Sequence, residues 1–479
     1  MEGTKENQYH IVMFPWLAFG HIIPFLELSK SLASNGDHVK ISFISTPSII
    51  KRLPPINPPS IKSRINFVSI DLPSVDNLPA GCEATVDLKE RDQTQYLKVA
   101  YDLLEAPVEA LLSQIEPDLI MFDVINCWIP DVGARLNIPT ALFSGFPTTF
   151  LAFLGPPSEY NVSNSNRTPE YLTEVPEWIP FPSSLAYRYH EAVRMNRGLN
   201  TKDASGLSAG DRLSKGIEGC NFILLKSCVE LDGDYLNVLK DLYQKPVIPI
   251  GLLPPTAHGS SIRSNSGDSS ESSNSEMFHW LDNQQPKSVV YVSFGSEYKL
   301  ASEQIHELAH GLEMSNLPFL WVLRKPEGID ESNFLPSGFE DRLIRGRGFM
   351  CFGWISQVEV LAHTAIGGSL CHCGWSSILE NLFFGHCQIL MPMMADQGIN
   401  ARFLVEKGLG SEVERNYEDG SFTRDAVAKS MRTVMVDPEG QKLRQKATEM
   451  SKSLFSNQDL QGNYIRKFII SLSQLLGKE

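Results

Sequence analysis

Short apolar runs alternate with stretches of helical period along this chain. Residues 10–16, HIVMFPW, form an apolar run, and residues 22–34, IIPFLELSKSLAS, repeat at helical spacing. Gly36 then breaks the pattern, and residues 38–45, HVKISFIS, resume as a strand. Strand, helix and strand in that order predict a β-α-β unit. A further run, DLIMFDV at 118–124, opens another alternation, with helix-like and strand-like segments ending near Pro139 and Phe143. The first half is therefore expected to be doubly wound α/β. Residues 251–276, GLLPPTAHGSSIRSNSGDSSESSNSE, are rich in Ser, Pro, Gly and Asn and predict a linker. Beyond it, SVVYVSFGS at 288–296 reads as a buried strand, and alternation returns through FMCFGW, GGSLCH and CQILMP, so a second α/β domain is expected. In the tail, Tyr464, Ile465, Phe468, Ile469, Leu472, Leu475 and Leu476 share one helical face, which predicts packing against a domain. The two halves show no repeat at residue level.

Length agrees with two domains, since 479 residues exceed the usual size of one compact unit. A composition of 42% hydrophobic and 20% charged residues is ordinary for a folded protein with large cores. The formal net charge of −14 disfavours nucleic acid and anionic membranes as partners, and no basic cluster offsets it. An anionic ligand would then be held by aimed hydrogen-bond donors and helix N-termini. Eight cysteines without a C-x-x-C pair suggest reduced thiols, hence a cytoplasmic chain, which is also expected to be a monomer. Cys371-His372-Cys373 lacks metal-site spacing, because adjacent residues of a strand face opposite sides, so no metal is predicted. The start of the chain has no basic segment before its apolar stretch, which Pro15, Gly20, His21, Pro24 and Glu27 interrupt; no signal peptide is expected. No uncharged apolar run reaches the roughly eighteen residues of a membrane span. The acceptor patterns at Asn161 and Asn166 are not expected to be glycosylated.

Two nucleotide fingerprints are missing. No G-x-G-x-x-G follows a strand, and no G-x-x-x-x-G-K-[ST] occurs, which disfavours dehydrogenases and P-loop enzymes. An open α/β sheet still predicts a ligand at the carboxyl ends of its strands.

The most informative stretch is residues 354–397, WISQVEVLAHTAIGGSLCHCGWSSILENLFFGHCQILMPMMADQ. Here GGSLC reads as a strand, His372-Cys373-Gly374-Trp375 as a turn, and Ser376 onward as the first turn of a helix. Free backbone N–H groups, the hydroxyls of Ser376 and Ser377, and His372 would make a site for a diphosphate. Trp354 offers a flat face to a base, Glu380 can accept from ribose hydroxyls, and Asp396 and Gln397 suit sugar hydroxyls. Taken alone, Ser377-Ile378-Leu379-Glu380 also matches a capping box, which would explain Ser377 and Glu380 without any ligand.

The whole stretch closely resembles the signature box of plant secondary-metabolite UDP-glycosyltransferases, matching in length and at Trp354, Gln357, His372, Gly374, Trp375, Ser377, Glu380, Pro392, Asp396 and Gln397. The resemblance implies the GT-B form of the α/β class, two Rossmann-like doubly wound domains facing a cleft. Residues 1–250 would bind the acceptor, 251–276 link, 277–460 bind the UDP-sugar, and 461–479 form a helix packing back on the first domain. It also implies site roles. Trp354 would stack on uracil, the Ile355 backbone and Gln357 would contact base or ribose, and Glu380 would hold ribose. His372, Ser376 and Ser377, at the Gly374 turn, would take phosphates, with Ser296 approaching from a neighbouring loop, while Trp375, Asp396 and Gln397 would line the transferred sugar. The sequence departs from the family at Ser376, where Asn is usual, at Ile355-Ser356, where Ala-Pro is usual, and at Cys387, where Pro is common.

For the chemistry, His21 in PWLAFGHIIPFLELSK is expected after the first strand and before a helix with Pro24 in its first turn, facing the cleft. A lone histidine in an apolar stretch is more often a structural group, and Asp123 alone would read as a strand-end aspartate or N-cap. In the resembling family, however, the catalytic base and its aspartate stand where His21 and Asp123 do. The implied reaction is direct displacement with inversion, His21 taking the acceptor proton and Asp123 fixing its tautomer. The co-substrate would be a UDP-sugar, with no other cofactor. Gln397 favours UDP-glucose, with UDP-rhamnose and UDP-xylose as alternatives. The likeness points to the branch that adds a sugar to a terpenoid, steroid or flavonoid glycoside. Transfer of a first sugar to an aglycone, or nucleotide-sugar binding without catalysis, are the competing readings.

Overall fold

The apolar runs become strands of two parallel sheets, and strands covered on both faces need continuous rather than alternating hydrophobic residues. The computed structural model describes residues 8–160, 167–255, 270–323, 334–343, 347–353, 355–456 and 458–478. Among these, the first sheet comprises β1 (Tyr9–Phe14), β2 (Val39–Ser45), β3 (Ile65–Ser69), β4 (Leu119–Phe122), β5 (Thr140–Ser144), β6 (Phe222–Leu225) and β7 (Val247–Pro249). Their order is β3-β2-β1-β4-β5-β6-β7, every adjacent pair parallel. The second sheet comprises β8 (Val289–Ser293), β9 (Phe319–Leu323), β10 (Gly348–Phe352), β11 (Ile366–Cys371), β12 (Cys387–Leu390) and β13 (Gly410–Glu412), in the order β10-β9-β8-β11-β12-β13 and again all parallel.

Each sheet reverses its winding once, between β1 and β4 and between β8 and β11. Crossover helices leave opposite faces at such a point and open a crevice past the strand ends. Register sharpens the coincidence. Phe14 stands beside Phe122, so the residues following β1 and β4 emerge together; Ser293 stands beside Cys371, so those following β8 and β11 do the same.

Three elements differ from the sequence reading. The first helix begins at Phe19 rather than near Pro24 and runs to Asn35, because the Ala18 carbonyl already accepts the N–H groups of His21 and Ile22, each at 2.9 Å. Pro24 thus lies inside the helix, and His21 in its first turn. The predicted linker also ends early: a helix spans Ser270–Asp282, anchored by buried Met277 and Leu281, while residues 256–269 lie outside the described residues, as do 161–166 with their glycosylation pattern. Strands β3, β6, β7, β9 and β13 are further elements, of which β6 (FILL) and β9 (FLWVL) are themselves short apolar runs.

The final helix, Gln458–Leu475, crosses to the first lobe. Ile465, Phe468 and Leu472 are buried there, the Phe468 ring lies 6.3 Å from Phe222, and the Gln461 side chain accepts the Leu252 N–H at 2.7 Å. Ile470, on the opposite side, is 77% exposed. No described helix is long and apolar enough to cross a membrane.

Candidate active site

At the first switch point the chain leaves β1 through Pro15-Trp16-Leu17-Ala18 and turns into the helix bearing His21, while Asp123 directly follows β4. Asp123 is fully buried. Its Oδ2 accepts from His21 Nδ1 at 2.8 Å and from the Trp16 N–H at 3.1 Å, and its Oδ1 accepts from the Val124 N–H at 2.7 Å. Asn126 locks the strand end, accepting the Asp123 N–H at 2.9 Å and donating to the Phe14 carbonyl at 2.8 Å. With Nδ1–H given to the carboxylate, Nε2 carries the lone pair. The imidazole is 24% exposed, which leaves that nitrogen room to meet a substrate. Burial pulls the His21 pKa down, but the charge and hydrogen bond of Asp123, helped by Glu297 and Asp396, raise it overall. Those last two carboxylates belong to the second lobe, so both lobes act on this imidazole.

The second switch point builds a corner. β11 ends at Cys371, the turn passes through Cys373 at φ 65°, and a helix spans Trp375–Phe383 with Gly374 as its N-cap and no side-chain cap. The His372 ring fits between glycines: a Cβ on Gly295 would come within 2.6 Å of its Cε1, and one on Gly374 within 2.6 Å of its Nε2. Burial pushes the His372 pKa down to about 4, so near neutral pH the ring donates as a neutral imidazole. With no side chain satisfying them, the first N–H groups of the Trp375–Phe383 helix remain open to an anion.

A cleft between the lobes holds about 1510 Å³, including its mouth. Ser296, Ile355, Gln357, Ser376, Ser377 and Glu380 line it from the second lobe, facing Gly20, Pro24 and Glu27 of the first. Gln357 donates to Glu380 at 2.5 Å, and Tyr291 donates to the Gln357 side-chain carbonyl at 3.1 Å. The capping-box alternative for Ser377 and Glu380 therefore does not hold, because Ser377 lies within the helix and Glu380 reaches outward to Gln357. After β12, Asp396 accepts from Asn400 at 2.7 Å, and burial pushes its pKa up to about 6 against the opposing pull of Asn400 and His21. Gln397 begins the next helix, with its carbonyl oxygen taking the N–H groups of Met393 and Met394, each at 2.9 Å. Its amide nitrogen is the part left to a ligand.

Trp375 departs from expectation. Its indole is buried and donates to the Lys226 carbonyl across the lobes at 3.1 Å, and Trp375 is not among the residues that line the cleft. The physical reason is that an indole N–H removed from water needs an acceptor, and the end of β6 supplies one. Trp354 lies outside the described residues. Sequence reasoning missed Asn126, whose only signal is its place after a strand-end aspartate, as well as Lys226 and Glu297. Lys226 ends the run FILLK, and Glu297 follows Ser296, whose loop it shares. Among the described residues, no group of three or more His, Cys, Asp or Glu could hold a metal ion.

The crevice, the corner and the acid–base pair define a two-lobed transferase. A family model described as "UDP-glucoronosyl and UDP-glucosyl transferase" matches residues 254–451. The chain is 42% identical to UDP-glycosyltransferase 91C1 of Arabidopsis thaliana, covering 98% of this chain and 97% of that one. It is 39% identical to soyasaponin III rhamnosyltransferase of Glycine max, again over 98% and 97%. Among solved structures, Medicago truncatula UGT71G1 complexed with UDP-glucose superposes with a TM-score of 0.76 at 25% identity, covering 99% of this chain and 100% of that one. The chain belongs to the plant family 1 UDP-glycosyltransferases, with the GT-B fold, and uses a UDP-sugar as its co-substrate.

Proposed function

We propose that the protein is an inverting glucosyltransferase that extends the sugar chain of a terpenoid, steroid or flavonoid glycoside. The observation that carries this reading is the His21–Asp123 pair: its imidazole feels Glu297 and Asp396 of the second lobe, and its neighbour Gly20 lines the cleft that Ser376 and Ser377 of the corner line from the other side. His21 Nε2 removes the proton of the acceptor hydroxyl, whose oxygen attacks the anomeric carbon from the side opposite UDP. The bond to the diphosphate oxygen breaks, and configuration inverts. Asp123 stabilises the imidazolium as it forms. Negative charge on the departing diphosphate is met by the N–H groups of the Trp375–Phe383 helix, the neutral His372 and the hydroxyls of Ser376 and Ser377. Glu380 and Gln357 take the nucleoside, beside Ile355 and Trp354, and Asp396 and Gln397 orient the sugar. All eight thiols are free, which suits a reducing compartment, and we place the enzyme in the cytoplasm as a monomer without nucleic-acid partners.

Gln397 supports glucose as the sugar transferred. Rhamnose is the second reading, favoured by the likeness to soyasaponin III rhamnosyltransferase, whose name also places its action on a saponin. The test is incubation of the purified chain with UDP-glucose, UDP-rhamnose and UDP-xylose, each with a terpenoid monoglucoside and its aglycone. A hexose mass increment on the glucoside is expected. A deoxyhexose increment would replace the donor, and products from the aglycone alone would overturn the elongation reading.

A further inference from the structure

Asp396 and Gln397 stand where the chain turns from β12 into the helix Gln397–Glu406, and the first lobe grips that turn on both sides of them. The residue before them, Ala395, has φ 51°, a left-handed conformation that a residue with a side chain keeps only under support. Part of the support is local to the second lobe. Gln397 accepts the N–H groups of Met393 and Met394, and Asn400 donates to Asp396 at 2.7 Å and to the Cys373 carbonyl at 2.9 Å. The Ala395 carbonyl, however, is held from the other lobe: the Tyr187 hydroxyl donates to it at 2.8 Å. Tyr187 is itself fixed, 3% exposed, with its ring 5.3 Å from Phe153 and its N–H on the Leu172 carbonyl at 2.9 Å.

The grip continues just past Gln397. A Cβ on Gly398 would come within 2.8 Å of both Glu191 Oε2 and Tyr187 Cδ1, so a bare glycine lets two first-lobe side chains lie against the first turn of this helix. Glu191 belongs to the helix Tyr189–Asn200 and accepts from Arg402, one turn further on, at 2.5 Å. Arg402 also donates to Glu412 at 2.7 Å, and Arg188 of the first lobe pairs with Glu412 at 2.8 Å, which closes a ring of alternating charges across the lobes. The side chains of Glu191, Arg402 and Glu412 are each 10% exposed, so each charge depends on its partners rather than on water.

We propose that Tyr187 and Glu191 are positioning residues for the donor sugar: from the first lobe they seat residues 395–402 and thereby set where Asp396 and Gln397 meet the sugar, without touching it themselves. This rests on the reading of Asp396 and Gln397 as the sugar-binding pair. It makes recognition of the sugar a property of both lobes, while the diphosphate stays with the corner after β11.

The test uses the full chain and calorimetry with UDP and with UDP-glucose, read as the ratio of the two affinities, since UDP lacks the sugar. Tyr187→Phe keeps the ring and removes one hydrogen bond, so it should weaken UDP-glucose about fivefold and raise its KM likewise, with UDP unchanged within about twofold. Glu191→Gln, which leaves Arg402 an acceptor without charge, should weaken UDP-glucose about threefold in the same selective way. Tyr235→Phe is the control, because the Tyr235 hydroxyl bonds Glu406 at the far end of the same helix, at 3.3 Å, and its loss should leave the ratio alone. A parent-like ratio in Tyr187→Phe overturns the proposal. So does a loss shared equally by UDP and UDP-glucose, or a shift in Tyr235→Phe as large as that in Tyr187→Phe, since either would make the contact a simple tie between lobes. If Tyr187→Phe does not fold, Glu191→Gln decides in the same way. Gln397→Ala separates the two readings: if it leaves the ratio unchanged, the sugar role of Gln397 fails, whereas a Gln397→Ala loss without a Tyr187 effect fails the positioning alone.

Discussion

The two switch points of this molecule do opposite kinds of work by opposite means. The corner after β11 is one continuous piece of chain, shaped by backbone: a left-handed Cys373, a helix start without a side-chain cap, and glycines that let His372 lie flat. The acid–base pair after β1 and β4 joins residues 102 positions apart, and side-chain hydrogen bonds complete what strand order begins. A backbone-built site tolerates side-chain changes such as Ser376 in place of the usual Asn, because the N–H groups stay where they are. A side-chain-built site tolerates almost none.

Removing side chains from each site separates them. His21→Ala should lower kcat by roughly three orders of magnitude, the scale of a lost general base, while leaving UDP affinity by calorimetry near that of the parent. Transfer at the parent rate would show that the base lies elsewhere. Asp123→Asn comes next, with a kcat loss of roughly a hundredfold or more, since the amide cannot hold Nδ1–H and stabilise the imidazolium as a carboxylate does. Its pH profile carries a sign. His21 works deprotonated, so activity falls as pH drops through its raised pKa. Without the carboxylate that pKa decreases, and the acid limb of kcat/KM should move to lower pH. A limb that stays put would remove Asp123 from contact with the base.

The same contrast explains what the sequence showed. Residues 354–397 were legible because a local site writes its residues in order, and the runs at 10–16, 118–124 and 288–296 lie in the central strands β1, β4 and β8 of the two sheets. Long-range pairing was not legible from residues alone: nothing in DLIMFD says that its aspartate meets a histidine near the chain's start, and only the resemblance suggested it. Lys226 was invisible for the same reason, since its meaning comes from a helix about 150 residues later, with Trp375 bonding its carbonyl. Pro24 misled by a general preference for first turns, which Ala18 overrode by accepting two N–H groups upstream. Trp375 misled because a motif names a residue without saying which way its ring turns.

The corner can be broken through its backbone. Gly295 sits at φ +70°, where a side chain is strained, and its Cβ would press on the His372 ring. Gly295→Ala should therefore weaken UDP binding roughly tenfold and cost about 1–3 kcal/mol of stability in denaturant unfolding. His21 is untouched by the change, so kcat at saturating donor should fall much less than KM rises. Parent-like affinity would mean that the ring can shift without loss and that the glycine is dispensable.

The smallest expected effect falls on the bond that ties the corner to the other lobe. Trp375→Phe keeps an aromatic ring in the buried site but removes the N–H that the Lys226 carbonyl accepts. Leaving a buried carbonyl without its donor costs about 1–3 kcal/mol. The lobes retain other ties: Thr85 donates to Glu297 at 2.8 Å, Tyr187 to the Ala395 carbonyl at 2.8 Å, and Arg402 to Glu191 at 2.5 Å. The loss should thus appear in unfolding, with UDP affinity changed by less than about threefold, since the backbone of the helix start is unaltered. A collapse of donor binding in Trp375→Phe would instead mean that the indole itself meets the nucleotide sugar, and that the two switch points are less separable than their construction implies.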